Sequence, residues 1–216
     1  MEAYQLLDKS AAFINTTIAP LEHDDRTYTD IVTLTKEQVK HEQIMAAFHG
    51  GFAYADVFDL KPGKYARLVV DGKTMMSTTQ MELRTNTEFV RAAHGRVLVA
   101  GLGLGLILKA IEQKPEVKSI MVLEKYASVI KVVKDRLKLG PKVTVLLADA
   151  HWPLAFEKGT LFETIYFDIW PGVCGDNWEE MKRLKAWYRK WLNKEDENRW
   201  MGAWREDAVR SLARGR

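Results

Sequence analysis

The stretch VLVAGLGLGLIL, residues 97–108, has three glycines within five residues directly after an apolar run. Gly101, Gly103 and Gly105 each weaken a strand or a helix, because glycine loses more conformational freedom on folding than other residues do. Backbone that must lie close to a ligand cannot carry Cβ atoms, so the spacing predicts a ligand-binding turn at the end of a strand. The helical pattern that follows would offer free N–H groups to the same ligand.

Apolar strands alternate with helices around this turn. The predicted strands are RVLVAG (96–101), SIMVLE (119–124), KVTVLLAD (142–149) and LFETIYFDIW (161–170), and the helices between them are 104–114 and 126–138. Strands without polar alternation are typical of a parallel sheet that is covered on both faces. We therefore predict an α/β fold with a Rossmann-like parallel sheet and flanking helices.

A smaller region precedes this core. Two helices are predicted at about 2–18 and 35–48, joined by the polar segment EHDDRTYTD (22–30); Thr35 and Gln38 form a possible capping box, and Gly50-Gly51 would end the second helix. AYADVFDL (53–60), YARLVV (65–70) and TMMSTT (74–79), separated by Pro-Gly and Asp-Gly turns, predict a β-hairpin or a three-stranded meander. A further helix is predicted at about 80–93.

Only helical patterns follow Trp170, at 177–194 and 198–214, so the sheet is expected to have no further strand. The expected organisation is an N-terminal helical and hairpin region (1–79), the Rossmann-like core (80–172) and a C-terminal helical segment (173–216). An apolar stripe at helical spacing is predicted to pack against the sheet and comprises Trp178, Met181, Leu184, Trp187, Trp191 and Leu192.

The composition narrows the function classes. The 216 residues carry a net charge of +3 and a single cysteine, Cys174, which excludes an intramolecular disulfide and fits a cytoplasmic protein. No apolar stretch reaches the length of a membrane span, so no membrane partner is expected. The histidines are scattered without metal-ligand spacing, so we predict no metal site.

The C-terminal segment is basic and rich in tryptophan. Residues 182–216 hold 11 Lys or Arg and five Asp or Glu, and all seven tryptophans lie at or beyond position 152. A solvated face of a helix explains such charges more simply than a nucleic-acid surface does, since no nucleic-acid module is recognisable. Nucleic acid therefore remains a possible partner that the sequence does not favour.

Acidic residues end the three other predicted strands: Glu124 ends the second, Asp149 the third and Asp168 the fourth. Carboxyl ends of parallel strands share one edge of the sheet, so these side chains are expected beside the glycine turn. Glu124, 23 residues after Gly101, is placed to accept hydrogen bonds from both hydroxyls of a ribose, in a cleft that faces solvent. The glycine spacing is G-x-G-x-G, with Leu106 where a dinucleotide motif would place its last glycine.

These motifs resemble those of the class I S-adenosylmethionine-dependent methyltransferase superfamily, and within it the spermidine synthase-like branch. The resemblance covers roughly residues 66–172, from LVVDGKTMMSTTQMELRTN through RVLVAGLGLG, VLEKYASVI and LLADA to YFDIWP. It implies a hairpin domain ahead of the cofactor-binding sheet, and S-adenosylmethionine as the cofactor. In the glycine turn, Leu102 and Leu104 stand where spermidine synthases carry an acidic residue.

The resemblance also implies site residues. Gly101, Gly103 and Gly105 would contact the methionyl part of the cofactor, Glu124 its ribose, and Asp149 with Ala150 its adenine. Asp168 would face the transferred group as the catalytic residue, and Trp170 with Pro171 would bind the acceptor. The expected function is methyl transfer to an unidentified acceptor; aminopropyl transfer and a non-catalytic binding module are the alternatives.

Overall fold

The helices and strands are those of a computed structural model that describes residues 2–18, 21–24, 26–49, 60–152 and 156–215. The helices are α1 (Ala3–Thr17), α2 (Lys36–His49), α3 (Gln80–Thr85), α4 (Thr87–Ala92), α5 (Leu106–Ile111), α6 (Ala127–Leu137), α7 (Asn177–Tyr188) and α8 (Glu206–Arg214). The strands are β1 (Leu21–Asp24), β2 (Thr27–Leu34), β3 (Gly63–Val70), β4 (Lys73–Ser77), β5 (Gly95–Ala100), β6 (Val117–Glu124), β7 (Val143–Leu147), β8 (Thr164–Phe167) and β9 (Trp200–Ala203).

A parallel sheet with the strand order β7-β6-β5-β8-β9 forms the centre of the fold. Successive residues of β5 face opposite sides of this sheet. Val97 and Val99 pack in one apolar cluster with α1, α5 and α6, whereas Leu98 and Ala100 pack in a second cluster with α7. The predicted Rossmann-like α/β fold is confirmed.

The strand β9 corrects the prediction that only helices follow Trp170. It pairs in parallel with β8, with Thr164 opposite Trp200 and Phe167 opposite Ala203, and α8 begins only at Glu206. Four residues, WMGA, are too few to show a strand periodicity, and the helical pattern on their C-terminal side conceals them. Pairing with the buried strand β8 supplies the hydrogen bonds that local sequence does not predict.

A second sheet, antiparallel with the order β1-β2-β3-β4, lies before the central sheet in the chain. The predicted hairpin is confirmed as β3 and β4, joined by Asp71 and Gly72 in left-handed conformations with φ of 50° and 73°. Within the polar segment 22–30, predicted as a linker, residues 22–24 instead belong to β1 and residues 27–30 to β2. Its Thr and Tyr residues favour a β-strand, although few residues of the segment are apolar.

Some predictions for this region lie outside the described residues. Gly50-Gly51 and nearly all of AYADVFDL fall within 50–59, which the structure does not describe. The capping box of α2 is confirmed: the Thr35 amide donates to Gln38 Oε1 at 2.8 Å, and the Gln38 amide donates to Thr35 Oγ1 at 3.2 Å.

The helix predicted at 80–93 is interrupted at Asn86, which separates α3 from α4. The buried Asn86 side chain donates to the Glu82 carbonyl at 3.0 Å and accepts the Tyr166 hydroxyl proton at 2.9 Å. The hydrogen bonds of the Asn86 side chain thus end α3, although the sequence pattern is helical on both sides of this residue.

Helix α7 covers the second face of the sheet. Met181 and Leu184 are buried as predicted, but Trp187 is 52% exposed, and Tyr188 takes the buried position in its place. No helix in the described ranges is long and apolar enough to cross a membrane.

Candidate functional site

The carboxyl edge of the central sheet brings functional side chains into one row. Main-chain hydrogen bonds continue one residue beyond β5, β8 and β9, where the amides of Gly101, Asp168 and Trp204 each donate to the neighbouring strand at 2.8 Å. From β7 to β9 the edge therefore presents Asp149, Glu124, Gly101, Asp168 and Trp204 in that order. Ligands of open parallel sheets bind at this edge.

A cavity of about 450 Å³ lies above this row, within the size range of small-molecule sites. Most of the residues proposed from sequence line it, namely Gly101, Gly103, Glu124, Asp149, Ala150, Asp168, Trp170 and Pro171. Gly105 is not among the lining residues. It adopts φ of 71° as the N-cap of α5.

The glycines of the turn are required by close contacts with protein atoms. A Cβ on Gly101 would lie 2.1 Å from the Asp168 carbonyl oxygen, and one on Gly103 would lie 2.4 Å from the Met76 sulfur. At Gly105 the obstacle is a methyl carbon of Leu137, at 2.1 Å. All three residues also have positive φ, which side chains disfavour. Tight packing of the turn thus accounts for the spacing that the sequence analysis attributed to a ligand.

Met76, on β4, packs against the glycine turn. Its sulfur accepts a hydrogen bond from the Leu104 amide at 3.1 Å, and the residue is buried. One of the loop amides is thereby occupied by the protein itself. The hairpin β3–β4 consequently forms one wall of the cavity, to which Leu68, Val70 and Met76 contribute.

Glu124 is held by the main chain on both sides. Its Oε2 accepts from the Leu102 amide at 2.9 Å, and its Oε1 accepts from the Tyr126 amide at 2.7 Å. The residue is 6% exposed, so the expected solvent-facing position is wrong. Burial raises the pKa of Glu124 against the lowering effect of these amides. The Lys125 amide also acts as a donor to this carboxylate, and the carboxylate has about four acceptor sites in all, so it can still accept from a ligand hydroxyl.

Asp149 contacts the ammonium group of Lys125 and the imidazole ring of His151. Its Oδ1 lies 2.9 Å from His151 Nδ1, and its Oδ2 lies 3.0 Å from Lys125 Nζ. Burial opposes ionisation, but hydrogen bonds from the His151 amide and ring and from Lys125 outweigh it and lower the pKa of Asp149 to about 2. Asp149 therefore stays ionised throughout the neutral range.

His151 connects the end of β7 to α7. Its Nε2 lies 2.8 Å from Glu180 Oε1, in a contact without the alignment of a hydrogen bond. Glu180 Oε2 in turn accepts the indole N–H of Trp170 at 2.5 Å. A chain of contacts thus runs from Asp149 to the ring of Trp170, and both residues line the cavity.

Asp168 differs from the other carboxylates of the cavity. In the described part of the chain, no group donates a hydrogen bond to its carboxylate, and burial alone raises its pKa to about 7. A carboxyl group that titrates near neutrality can accept a proton from a bound molecule and later release it. Unpaired, perturbed groups of this kind are concentrated at functional sites.

Several lining residues were not predicted from sequence. Met76, Met81 and Glu82 come from the segment 74–85, and Trp204 follows β9, which was assigned to a helix. His151 was not predicted as a site residue either, although its position two residues after Asp149 could have suggested the contact between them. The described residues contain no group of three His, Cys, Asp or Glu placed to bind a metal ion.

Comparison with known proteins finds similarity in structure. No protein-family model matches the chain, and no curated protein matches it in sequence. The spermidine synthase from Thermotoga maritima is 18% identical over 60% of this chain and 46% of its own, with a TM-score of 0.45. A spermidine synthase in complex with the transition state analogue AdoDATO is 16% identical over 82% of this chain and 54% of its own, with a TM-score of 0.48.

A methyltransferase is also among the similar structures. The N-methyltransferase NodS from Bradyrhizobium japonicum WM9 is 19% identical over 52% of this chain and 62% of its own, with a TM-score of 0.39. The chain spans about half the length of the two spermidine synthases. The similarity to these structures concerns the fold alone, and they include a spermidine synthase and a methyltransferase, the classes of protein that the sequence motifs resemble.

Proposed function

We propose that the cavity binds S-adenosylmethionine and that the protein transfers its methyl group to an acceptor beside Asp168. The observation that carries this proposal is the position of Glu124. Its carboxylate lines the cavity directly next to the glycine turn, at the carboxyl edge of a sheet with the strand order β7-β6-β5-β8-β9. A carboxylate at the end of the second core strand is suited to the two hydroxyls of a ribose.

The residues around Glu124 fit such a cofactor. Gly101 and Gly103 line the cavity, so their main chain is within reach of a ligand bound against the turn. Ala150 and Val129 offer apolar surface on the side of β6 and β7, which suits a purine ring. The carboxylates of Glu124 and of the ionised Asp149 supply acceptors for hydroxyl and amino groups.

When bound, S-adenosylmethionine would supply an electrophilic methyl group on a positively charged sulfur. The chain's own residues have the tasks of holding the acceptor in line, excluding water and moving one proton. Asp168 is the residue placed for the proton, because no hydrogen-bond donor to its carboxylate is found among the described residues and burial raises its pKa to about 7. Trp170, 7% exposed and fixed by Glu180, and Pro171 would form the wall that excludes water on the acceptor side.

Titration calorimetry tests the proposal. The full chain is titrated separately with S-adenosylmethionine, S-adenosylhomocysteine, decarboxylated S-adenosylmethionine and NAD. Saturable binding of the first two supports it. Stronger binding of the decarboxylated compound would favour aminopropyl transfer, and binding of NAD alone would overturn the proposal in favour of a dehydrogenase.

A transfer assay separates catalysis from binding alone. The protein is incubated with methyl-labelled S-adenosylmethionine and a cell extract, and Asp168→Asn serves as the comparison. We expect labelled product from the unchanged protein and strongly reduced label from the variant. Cofactor binding with no labelled product in any extract would favour a non-catalytic binding module.

A further inference from the structure

Helix α7 carries residues of the basic, tryptophan-rich segment that the cavity does not use. One side of the helix is buried, where Met181, Leu184 and Tyr188 pack in the second apolar cluster. The other side carries Arg183 and Trp187, which are both exposed. Neither is among the described residues that line the cavity. A role for this side of α7 is therefore independent of the proposed function.

Trp187 was predicted to pack against the sheet, but it is 52% exposed. In the described part of the chain it has no aromatic partner, and no group accepts its indole N–H. The indoles of Trp170 and Trp204, by contrast, each donate a hydrogen bond within the protein. An exposed ring of this kind is a surface on which a planar ligand can stack.

Cations without a carboxylate partner flank Trp187 along the helix. Arg183 lies four residues before Trp187, and Lys190 lies three residues after it, in the short helical turn that continues α7. Residues three or four positions apart are neighbours on a helix surface. Among the described residues, no carboxylate pairs with Arg183, Arg189 or Lys190. The Lys190 ammonium lies over the ring of Trp191, 4.1 Å from its centroid.

Two other cations of the same helix already have carboxylate partners. Lys182 Nζ lies 2.7 Å from Glu179 Oε1, and Lys185 Nζ lies 2.6 Å from Glu206 Oε1. Their charges are thus largely neutralised within the chain, whereas those around Trp187 are not. The set that we call the α7 surface comprises Arg183, Trp187, Arg189 and Lys190.

The chemistry of the α7 surface suits a polyanion that also carries flat rings. Phosphate groups accept two parallel hydrogen bonds from the planar guanidinium of an arginine. Unpaired bases stack on aromatic side chains, whereas the bases of a duplex are covered by their neighbours. An acidic polypeptide would neutralise the cations but would leave Trp187 without a planar partner. The combination of cations and an exposed indole therefore favours single-stranded nucleic acid.

We propose that the α7 surface binds single-stranded nucleic acid, with one base stacked on Trp187 and phosphates bound by the three cations. From Arg183 to Lys190 the helix rises about 10 Å, a distance that a few nucleotides cover. Binding is independent of base sequence, because stacking accepts every base and the phosphates are the same throughout.

Fluorescence anisotropy tests the proposal. The full chain is titrated into a fluorescein-labelled oligothymidylate of about 12 nucleotides at about 50 mM salt. We expect saturable binding with a Kd of about 10⁻⁴–10⁻⁶ M, and a slope of log K against log salt of about −2, as three phosphate contacts on a single strand predict. Absence of binding overturns the proposal. Equal or tighter binding of a duplex of the same length, or of polyglutamate of the same charge, overturns it in favour of general attraction to polyanions.

Substitutions separate stacking from charge. Trp187→Ala should weaken oligothymidylate binding about tenfold, whereas Trp187→Phe, which keeps an aromatic ring, should weaken it less than about threefold. Arg183→Gln should weaken binding about threefold or more and reduce the salt slope by about 0.7. All three changes are at exposed positions, and circular dichroism checks that each variant is folded.

Lys9→Gln is the matched control for the change in charge. Lys9 is exposed on α1, which packs in the first apolar cluster, on the face of the central sheet opposite α7. Its substitution should change binding less than about twofold, because salt screens charges beyond about 10 Å. Unchanged affinity in Trp187→Ala, or a loss in Lys9→Gln as large as that in Arg183→Gln, overturns the proposal.

Discussion

The carbonyl oxygen of Asp168 lies 2.1 Å from the point where a Cβ atom on Gly101 would be placed. The strands β5 and β8 therefore approach each other so closely at the carboxyl edge that only glycine fits at position 101. Close packing of these two strands thus positions both Asp168, which we propose as the catalytic residue, and Gly101, the first glycine of the turn.

Gly101→Ala should destabilise the protein severely. The added methyl group meets a main-chain carbonyl that cannot rotate away, and φ of 102° disfavours any side chain. We expect a loss of about 3 kcal/mol or more in the free energy of unfolding. Urea denaturation measures it.

Gly72→Ala is the matched control for this variant. Gly72 also has positive φ, at 73°, but no atom lies within 4 Å of the added Cβ. Its cost should be limited to backbone strain, about 1 kcal/mol. Equal losses in the two variants would show that the contact with Asp168 contributes nothing.

Glu124→Gln should weaken binding of S-adenosylhomocysteine by about 1.5–3 kcal/mol, because the hydroxyls would lose a charged acceptor. The amide keeps the size of the side chain but turns an N–H group towards one of the two main-chain donors that hold Glu124. Some loss of stability is therefore expected as well, and circular dichroism checks that the variant is folded before calorimetry. An affinity equal to that of the unchanged protein would move the ribose site elsewhere.

Asp168 should make the protein less stable as the pH rises. Its pKa of about 7 in the folded protein is above its ordinary value of 3.8, so between these values the folded state holds a proton that the unfolded chain has lost. The free energy of unfolding consequently falls across this window, by up to about 4 kcal/mol from this group. Urea denaturation at about pH 5 and about pH 8 measures the difference.

Asp168→Asn should remove this contribution and be more stable than the unchanged protein at the upper pH. Asp8→Asn, on the exposed side of α1, is the control and should keep the pH dependence of the unchanged protein. If Asp168→Asn and the unchanged protein lose stability in parallel, Asp168 is ionised in the folded state and has a partner.

His151→Phe should loosen the ring of Trp170. Without the imidazole, Glu180 loses its contact with the end of β7, and the hydrogen bond from the Trp170 indole is no longer held in place. The nitrogen-15 NMR signal of that indole N–H, assigned by its absence in Trp170→Phe, should move and exchange faster with solvent. Glu179→Gln should leave the signal unchanged. An unchanged signal in His151→Phe would refute the coupling of His151 to Trp170 through Glu180.

The residues that line the cavity at the ends of the central strands could largely be predicted from sequence. The residues that enclose the cavity from the sides could not. Asp168 directly follows an apolar run, and the end of a buried parallel strand has one possible place in a sheet. Trp204 follows a strand of four residues that exists only because β8 lies beside it. The contact of Met76 with the Leu104 amide joins residues that are far apart in the chain, and no local pattern encodes it.

The hydrogen bond between Trp204 and Thr85 spans 119 positions of the chain and closes one wall of the cavity. Closing a segment of that length costs entropy before any contact repays it, so this wall forms only with the complete fold. A compound that occupies the cavity therefore recognises the native state alone and shifts the folding equilibrium towards it by mass action. The rise in melting temperature across a library of small molecules would thus rank candidate ligands without any assay of the reaction.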